Sequence, residues 1–575
     1  MTPRLVRNIL QYTLLLSLIG ALAFFLLYPI ALTIRGGFAA NPATGTGWTL
    51  DHLALVIADP NLRGGLFNAL AIAACTTTLS ILIALPLATL SAGYRFPGKK
   101  FWNAAILVPL ILPPFVGAIG MRALLGRQGA VNALLGTEWD ILGEAKFLGV
   151  VIVEALHLYP IIYLNAAAAL ANLDPALNES AENLGSGPWR RFFRITLPLI
   201  RPGLFAGATI VFIWSFTELG TPLMFDYYRV TPVQIFYGLK EVEDSAEPYA
   251  LTLVLLASSM FFYIVGRVAF GRKGHAMYSK AARASDEKNL PLAGRLIATG
   301  LFAAVGIAAL LPHLGVILTS VSGVGDWYRS VLPRSYTLDH FGQALGSPDA
   351  FGAIRISLLL SLAAMVVNLL LGIVIAYLIV RTRLVGRNVL DTLCMLPLAV
   401  PGLVLAFGFV AMSLRWPFAD GDPLGGLFSV LGADPNPFPL LIIAYAVRRL
   451  PYIVRSAAAG LEQTSGELEE AAINLGAPRL YAIRRVIIPL IMANLIAGCL
   501  LVFSFSMLEV SDSMILAQKT SHFPITKMIF ELTNRLGDGP SIASAMGVWG
   551  MALLTVTLFG ASLLLGKKLG SIFRV

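Results

Sequence analysis

Glu179-Ser180-Ala181-Glu182-Asn183-Leu184-Gly185 is followed, thirteen residues after the glycine, by Pro198 in the run Ile195-Thr196-Leu197-Pro198. The same design returns as Glu470-Ala471-Ala472-Ile473-Asn474-Leu475-Gly476, then Val486-Ile487-Ile488-Pro489. Each stretch describes a short amphipathic helix stopped by glycine, a second helical piece, and a proline that opens the next long helix. The small residues Ala181, Ala471 and Ala472 permit close approach of a partner surface. Glu179 and Glu470 can make charge-assisted contacts with basic groups on that surface.

Working outward, the two stretches are the centres of an internal repeat. Thr49-Leu50-Asp51-His52 recurs as Thr337-Leu338-Asp339-His340, a shift of 288 that also carries Arg95 onto Arg383, Pro109 onto Pro397, Pro113 onto Pro401 and Gly120 onto Gly408. Beyond an intervening loop the shift becomes 291, pairing Pro160 with Pro451, Gly185 with Gly476, Pro198 with Pro489 and Glu218 with Glu509. The halves are 1–270 and 291–575, joined by a polar connector at 271–290 that contains Arg272, Lys273, Asp286, Glu287 and Lys288.

The solvent for most of this chain is lipid. Its 575 residues are 57% hydrophobic and only 13% charged, and its mean hydropathy is +0.77. Crossing roughly 30 Å of hydrocarbon takes about 20 apolar residues in a helix. Twelve stretches meet that need: 10–34, 66–90, 101–124, 147–170, 199–219 and 249–270 in the first half, and 293–321, 354–380, 389–414, 438–459, 488–510 and 545–565 in the second. Irregular backbone is penalised in hydrocarbon, so all twelve are expected as helices. The expected fold is an all-α integral membrane protein of about twelve transmembrane helices. Each half has an even number of crossings, so the two tandem six-helix units have one orientation and a pseudo-twofold axis along the membrane normal.

A net charge of +10 could suggest nucleic acid, but the basic residues sort by loop, as they do when they set membrane orientation. Arg95, Lys99 and Lys100, then Arg190, Arg191 and Arg194, then Arg381, Arg383 and Arg387, then Arg479, Arg484 and Arg485 all fall on one side. That side is read as cytoplasmic, with both termini there. The basic start and Ala21-Leu22-Ala23 suggest a cleaved signal peptide, yet the apolar run continues to Ile34, longer than a signal core. Cys75, Cys394 and Cys499 lie in apolar segments without paired spacing, which indicates neither a disulfide framework nor a zinc site.

With the paired E-[AS]-A-x-N-L-G-x12-P stretches in place, nearly the whole chain resembles the binding-protein-dependent permeases of ATP-binding-cassette (ABC) importers, whose cytoplasmic loop carries a similar E-A-A-x-x-x-G pattern. Ser180 replaces the first alanine in one copy, and Ile488 precedes Pro489 in the other, both conservative departures. The resemblance implies that this loop docks into a groove of a separate ATPase. It further implies an assembly of one such chain, two ATPase subunits and an extracytoplasmic solute-binding protein, in the bacterial inner membrane. Fusion of both copies in one chain resembles the ferric-iron group, whose relatives also handle thiamine, polyamines and phosphonates. ATP and magnesium are then expected on the partner ATPase, with no cofactor or metal in this chain.

No engine is visible here. Gly93-Tyr94-Arg95-Phe96-Pro97-Gly98-Lys99-Lys100 fits G-x-x-x-x-G-K, but Lys100 stands where a magnesium-binding Ser or Thr belongs, and the stretch joins two apolar helices. No spacing indicates a catalytic metal site or a nucleophilic triad. Two rivals are a gradient-driven secondary transporter, against which the paired loops argue, and a membrane enzyme, for which no constellation is seen.

Ionisable side chains within apolar segments are costly unless they face protein or water. Glu154, His157, Glu218, Arg448, Arg449 and Glu509 are the pathway candidates, with Pro160 and Pro451 expected to interrupt their helices as a kink or gate. Glu218 and Glu509 can equally sit at an outer interface in contact with water. Arg448 and Arg449 can equally snorkel or pair with structural carboxylates.

Overall fold

The computed structural model describes residues 3–41, 45–111, 113–242, 245–270, 288–419, 421–432 and 434–565. The connector residues 271–287 lie outside this set. The described chain is mostly helical. It opens with α1 (Pro3–Leu22) and α2 (Tyr28–Phe38), followed by α3 (Pro60–Gly93), α4 (Pro114–Leu125), α5 (Lys146–Ala171), α6 (Pro175–Asn183), α7 (Leu197–Phe216), α8 (Thr231–Gly238) and α9 (Glu247–Phe270). The second half runs α10 (Leu292–Val321), α11 (Pro348–Arg381), α12 (Gly402–Ser413), α13 (Phe438–Gln463), α14 (Glu467–Asn474), α15 (Met492–Met507), α16 (Ile525–Thr533) and α17 (Gly539–Leu565).

Among the described residues, eight helices are long and apolar enough to cross a membrane, or up to eleven when each sharply bent pair counts as one span. This corrects the expectation of twelve uninterrupted helices. The segments at 101–124, 389–414 and 488–510 are each broken, with bends of 96°, 105° and 75°. In the first two, the break falls at Pro113-Pro114 and Pro401-Gly402. Pro113 and Pro401 have extended ψ angles of 132°, which ends the helix before them. The segment at 438–459 forms α13, a helix of 26 residues like its counterpart α5, but Arg448, Arg449 and Arg455 leave it short of the apolarity of the other spans.

Single prolines act differently. The expected interruptions at Pro160 and Pro451 do not end α5 or α13, which continue through them. Neighbouring helices and side chains can re-satisfy the carbonyl that the missing donor leaves free. Three other prolines widen a turn: the π-turns Ala23–Leu27, Phe192–Thr196 and Ile483–Ile487 each end two residues before Pro29, Pro198 or Pro489. A proline lacks the N–H that would bond four residues back, and its ring presses on that carbonyl.

Within each half the packing repeats. Helix α3 lies against α5 and α7, and α11 lies against α13 and α15. The first crossing of each half, however, packs on the other half. Leu15, Leu18 and Leu22 of α1 share a core with Ile375, Leu390, Leu450 and Ile453, while Ala298, Phe302 and Ala309 of α10 share one with Leu87, Ile106 and Tyr159. Two glycines that are partners in the repeat make these crossings possible. A β-carbon on Gly120 of α4 would strike the Pro312 carbonyl oxygen of α10, and one on Gly408 of α12 would lie 2.8 Å from the Pro29 carbonyl oxygen of α2. The end of the connector is also tied to the first half: Lys288–Asn289 pairs in parallel with Tyr94–Arg95 as a two-residue ladder.

Candidate functional site

Two regions gather the polar chemistry: a buried cluster between the halves, and a pair of loops on one face. In the cluster, α13 carries Arg448 and Arg449 into contact with the turn that follows α15. Arg448 binds Glu509 and lies 3.1 Å from Asp512, while Arg449 binds the other oxygen of Glu509 and donates to the Phe505 carbonyl at 3.1 Å. The Glu509 side chain is 4% exposed and that of Asp512 is fully buried. Two guanidinium and two carboxylate groups therefore close into one network of zero net charge. Arg448 and Arg449 thus pair with carboxylates, one of them Glu509, itself a pathway candidate. Thr526 and Ser513 hydroxyls donate to the Glu509 carbonyl at 2.7 and 2.6 Å, and Tyr445 bonds Ser513 at 2.7 Å, fixing the turn.

The first half answers this network with unpaired acid. Glu154, which occupies the repeat position of Tyr445, is 1% exposed. One of its oxygens accepts from the Ser215 and Thr76 hydroxyls, the latter at 3.5 Å, and its other oxygen has no hydrogen-bond partner. Glu218 accepts from the Thr221 N–H at 3.3 Å. Among the described residues, neither carboxylate forms an ion pair. His157, at the repeat position of Arg448, contacts the Pro109 carbonyl through Nδ1 at 2.7 Å. The turns bearing Glu218 and Glu509 meet each other: a β-carbon on Gly220 would lie 3.0 Å from Val510 Cγ1.

On the side of the molecule away from the paired loops, Lys527 of α16 is 4% exposed. Its ammonium lies 4.8 Å from the Phe236 ring centre of α8, with Phe523 and Phe530 at 5.5 and 5.7 Å and Glu531 at 3.5 Å. Lys527 and Phe236 are partners under the 291 shift. Here equivalent positions of the two halves touch each other.

The paired loops take the form the sequence called for. Helices α6 and α14 end at Gly185 and Gly476, whose φ angles of +79° and +93° suit only glycine without strain. Backbone bonds from Ser186 to Ala181 and from Ala477 to Ala472, 2.9 and 3.1 Å, close both ends in the same way. Glu179, Glu470 and Ala471 are exposed, Ala181 and Ala472 are half-buried, and Pro198 and Pro489 are exposed. The prolines do not open the long helices as expected, since Pro198 lies within the continuous helix Pro188–Phe216 and Pro489 lies in Arg479–Leu490, before the bend that leads into α15. Leu184 and Leu475 are 88% and 89% exposed, beside exposed Trp189 and Leu480. Each of these is the repeat partner of the other, so both halves present the same bare apolar pair.

Their anchors differ. In the second half, Glu469 is buried and accepts from Tyr377, and Arg479 Nε lies 3.2 Å from Glu469 and 2.9 Å from the Tyr377 hydroxyl. In the first half, Glu182 pairs with Arg191 at 2.7 Å and Lys288 at 3.0 Å. Hydrogen bonds from these two cations hold the Glu182 carboxyl below its ordinary pKa. Sequence reasoning missed Asp512, Ser215, Thr76, Lys527, Glu469 and Tyr377, and read Arg479 only as a basic loop residue. Asp512 and Lys527 could have been found as lone charges in apolar stretches, whereas Glu469 was overshadowed by its neighbour Glu470.

The family described as "binding-protein-dependent transport system inner membrane component" matches this chain twice, at residues 80–273 and 368–569. The chain belongs to that family. It is a permease with two copies of the family unit fused in one polypeptide. A ferric transport system permease protein of Actinobacillus pleuropneumoniae is 25% identical over 573 residues, covering 95% of this chain and 77% of the relative. A probable ABC transporter permease protein of Sinorhizobium fredii is 26% identical, covering 84% of each chain. The molybdenum transport system permease protein of Escherichia coli is 30% identical over 175 residues, 30% of this chain and 74% of the relative. A bacterial ABC transporter for alginate import aligns in structure with a TM-score of 0.38 and 19% identity, over 46% of this chain and 97% of that one. The permease family and the apolar helices make this a multi-pass inner-membrane protein of an ABC importer.

Proposed function

We propose that this permease passes ferric iron from an extracytoplasmic binding protein to the cytoplasm, by alternating access driven by two separate ATPase subunits. The observation that carries the cargo reading is the acidic pair at the contact between halves. Glu154 and Glu218 have no basic partner there among the described residues, and carboxyl oxygens are ligands for a hard cation and not for an oxyanion. In this reading the loop face is cytoplasmic, α13 counts as a crossing and brings the total to twelve, and both termini are inside. A pseudo-twofold axis passes near Lys527 and Phe236, since residues on such an axis meet their own equivalents. Lys527 in its ring of phenylalanines closes the outer mouth in this state. Affinity for oxyanions is the second reading, supported by the likeness to molybdenum permeases.

The test is uptake by cells that carry the chain with its ATPase and binding protein. Labelled ferric iron is expected to accumulate and molybdate is not; the opposite outcome selects the second reading. Glu154→Gln together with Glu218→Gln is expected to lower iron uptake more than tenfold while the ATPase remains bound, because only the carboxyl groups that can ligate the cation have changed. Unchanged uptake removes the cation argument.

The loops supply a separate expectation. Leu184→Asp and Leu475→Asp place a charge where each bare leucine would be buried by an ATPase, costing about 2–4 kcal/mol per interface. Each variant is expected to lose most of its co-purifying ATPase while eluting as a folded permease. Full retention by both variants contradicts docking at these loops.

A further inference from the structure

We propose that the cleft between α1 and the loop end of α11 is a binding site for the phosphate of an anionic phospholipid, such as phosphatidylglycerol, in the cytoplasmic leaflet. It rests on the orientation proposed above. A cavity of about 350 Å³ is lined by Gln11, Tyr12, Arg381, Thr382, Arg383, Leu384 and Arg479. Three guanidinium groups thus converge on one opening at the membrane boundary.

Their other commitments leave charge to spare. Arg381 donates to the Leu461 and Thr464 carbonyls at 3.0 and 2.6 Å, neither of which neutralises it, and its Nε is buried without a partner. Arg479 is matched by Glu469. Arg383 is exposed and forms no ion pair among the described residues. The cavity therefore carries about two uncompensated positive charges, and basic pockets between helices on the inner side suit anionic headgroups.

The wall made by α1 favours a lipid over free phosphate. Residues three and four apart share a helix face, so Leu14 lies one turn deeper than Gln11, and Leu16 one turn deeper than Tyr12. Leu14 and Leu16 are 39% and 64% exposed. Each of these two faces of α1 offers a polar group at headgroup level and a bare leucine one turn below it, where an acyl chain would lie. Because Arg479 also holds Glu469, the bound phosphate joins the polar link that anchors the second loop.

Native mass spectrometry of the full chain in detergent, titrated with phosphatidylglycerol, phosphatidylcholine or inorganic phosphate, tests the site. One phosphatidylglycerol is expected to bind at least fivefold more tightly than phosphatidylcholine. Arg383→Gln is expected to weaken it about fivefold, as the loss of one surface cation near an anionic lipid should. Arg535→Gln, on the other side of the molecule, is expected to leave it unchanged. Since Arg383 is exposed, its variant should elute like the parent, and Tyr12→Phe gives a second, milder loss. Equal binding of the two lipids, or no effect of Arg383→Gln, overturns the proposal. Displacement of the lipid by millimolar inorganic phosphate also overturns it, in favour of a soluble phosphate. Labelling of Gly187→Cys, in a chain lacking its native cysteines, by an impermeant maleimide reports the orientation separately.

Discussion

Arg448→Met is expected to destabilise the permease by about 3–5 kcal/mol, the cost of removing one partner from a buried, hydrogen-bonded charge group. The size follows from what is left behind. Glu509 keeps Arg449, but Asp512 loses its ion-pair partner, and one of its oxygens already lacks a hydrogen bond. The network changes from neutral to a net charge of minus one around two buried carboxylates. The thermal unfolding of detergent-solubilised protein, followed by size-exclusion chromatography, should shift down and iron uptake should fall with it. Adding Asp512→Asn restores neutrality and should recover a large part of the lost stability. Arg448→Met with no change in unfolding, or a double variant worse than the sum of its singles, contradicts the account of one neutral group.

How much of this was legible beforehand depends on the range of the interaction. The repeat, the paired loops and the pathway candidates are local patterns, so the residues alone disclose them. Glycine at 185 and 476 is required by the left-handed turn that closes each loop helix, and that turn is written in the seven-residue pattern itself. Arg448, Arg449 and Glu509 stood out because charge is rare in apolar runs, but their pairing joins positions sixty residues apart. Asp512 escaped because it lies just past the stretch ending at 510, in the short helix Ser511–Leu516 instead of a crossing.

Proline was the least legible feature. Pro401 and Pro160 look alike as single residues in apolar segments, yet one sits at a sharp bend and the other inside a continuous helix. The difference lies in the neighbours: Pro114 forces its predecessor out of the helical region, and Gly402 follows Pro401 with no side chain to hold a turn, whereas Ile161 and Tyr452 follow Pro160 and Pro451 and impose no such break. The exchange of first crossings between halves left no local trace at all. Only the coincidence of Gly120 and Gly408 in the repeat pointed to something shared, and it could not say what lay opposite.

That contact sets the second large expectation. Gly120→Val should abolish recovery of folded permease, and Gly408→Val should reduce it severely. At Gly120 the obstacle is backbone: the Pro312 carbonyl and the Gly315 main chain of α10 occupy the space a side chain needs, and Gly315 in turn faces the Gly120 main chain. Side chains can turn aside, but two helix backbones can yield only by separating, which strips dispersion contacts along the crossing and costs several kcal/mol. The strain at Gly408 should be less, since its nearest obstacle, the Pro29 carbonyl, is farther away. Gly300 provides the contrast, for it lies on the same α10 with nothing within 4 Å of a β-carbon. Gly300→Ala should therefore leave recovery unchanged or raise it slightly, through the better helix propensity of alanine. The measure is the monodisperse fraction of a fluorescent fusion. Should Gly120→Val elute like the parent, the first crossing of the second half does not pack against the first half in this way.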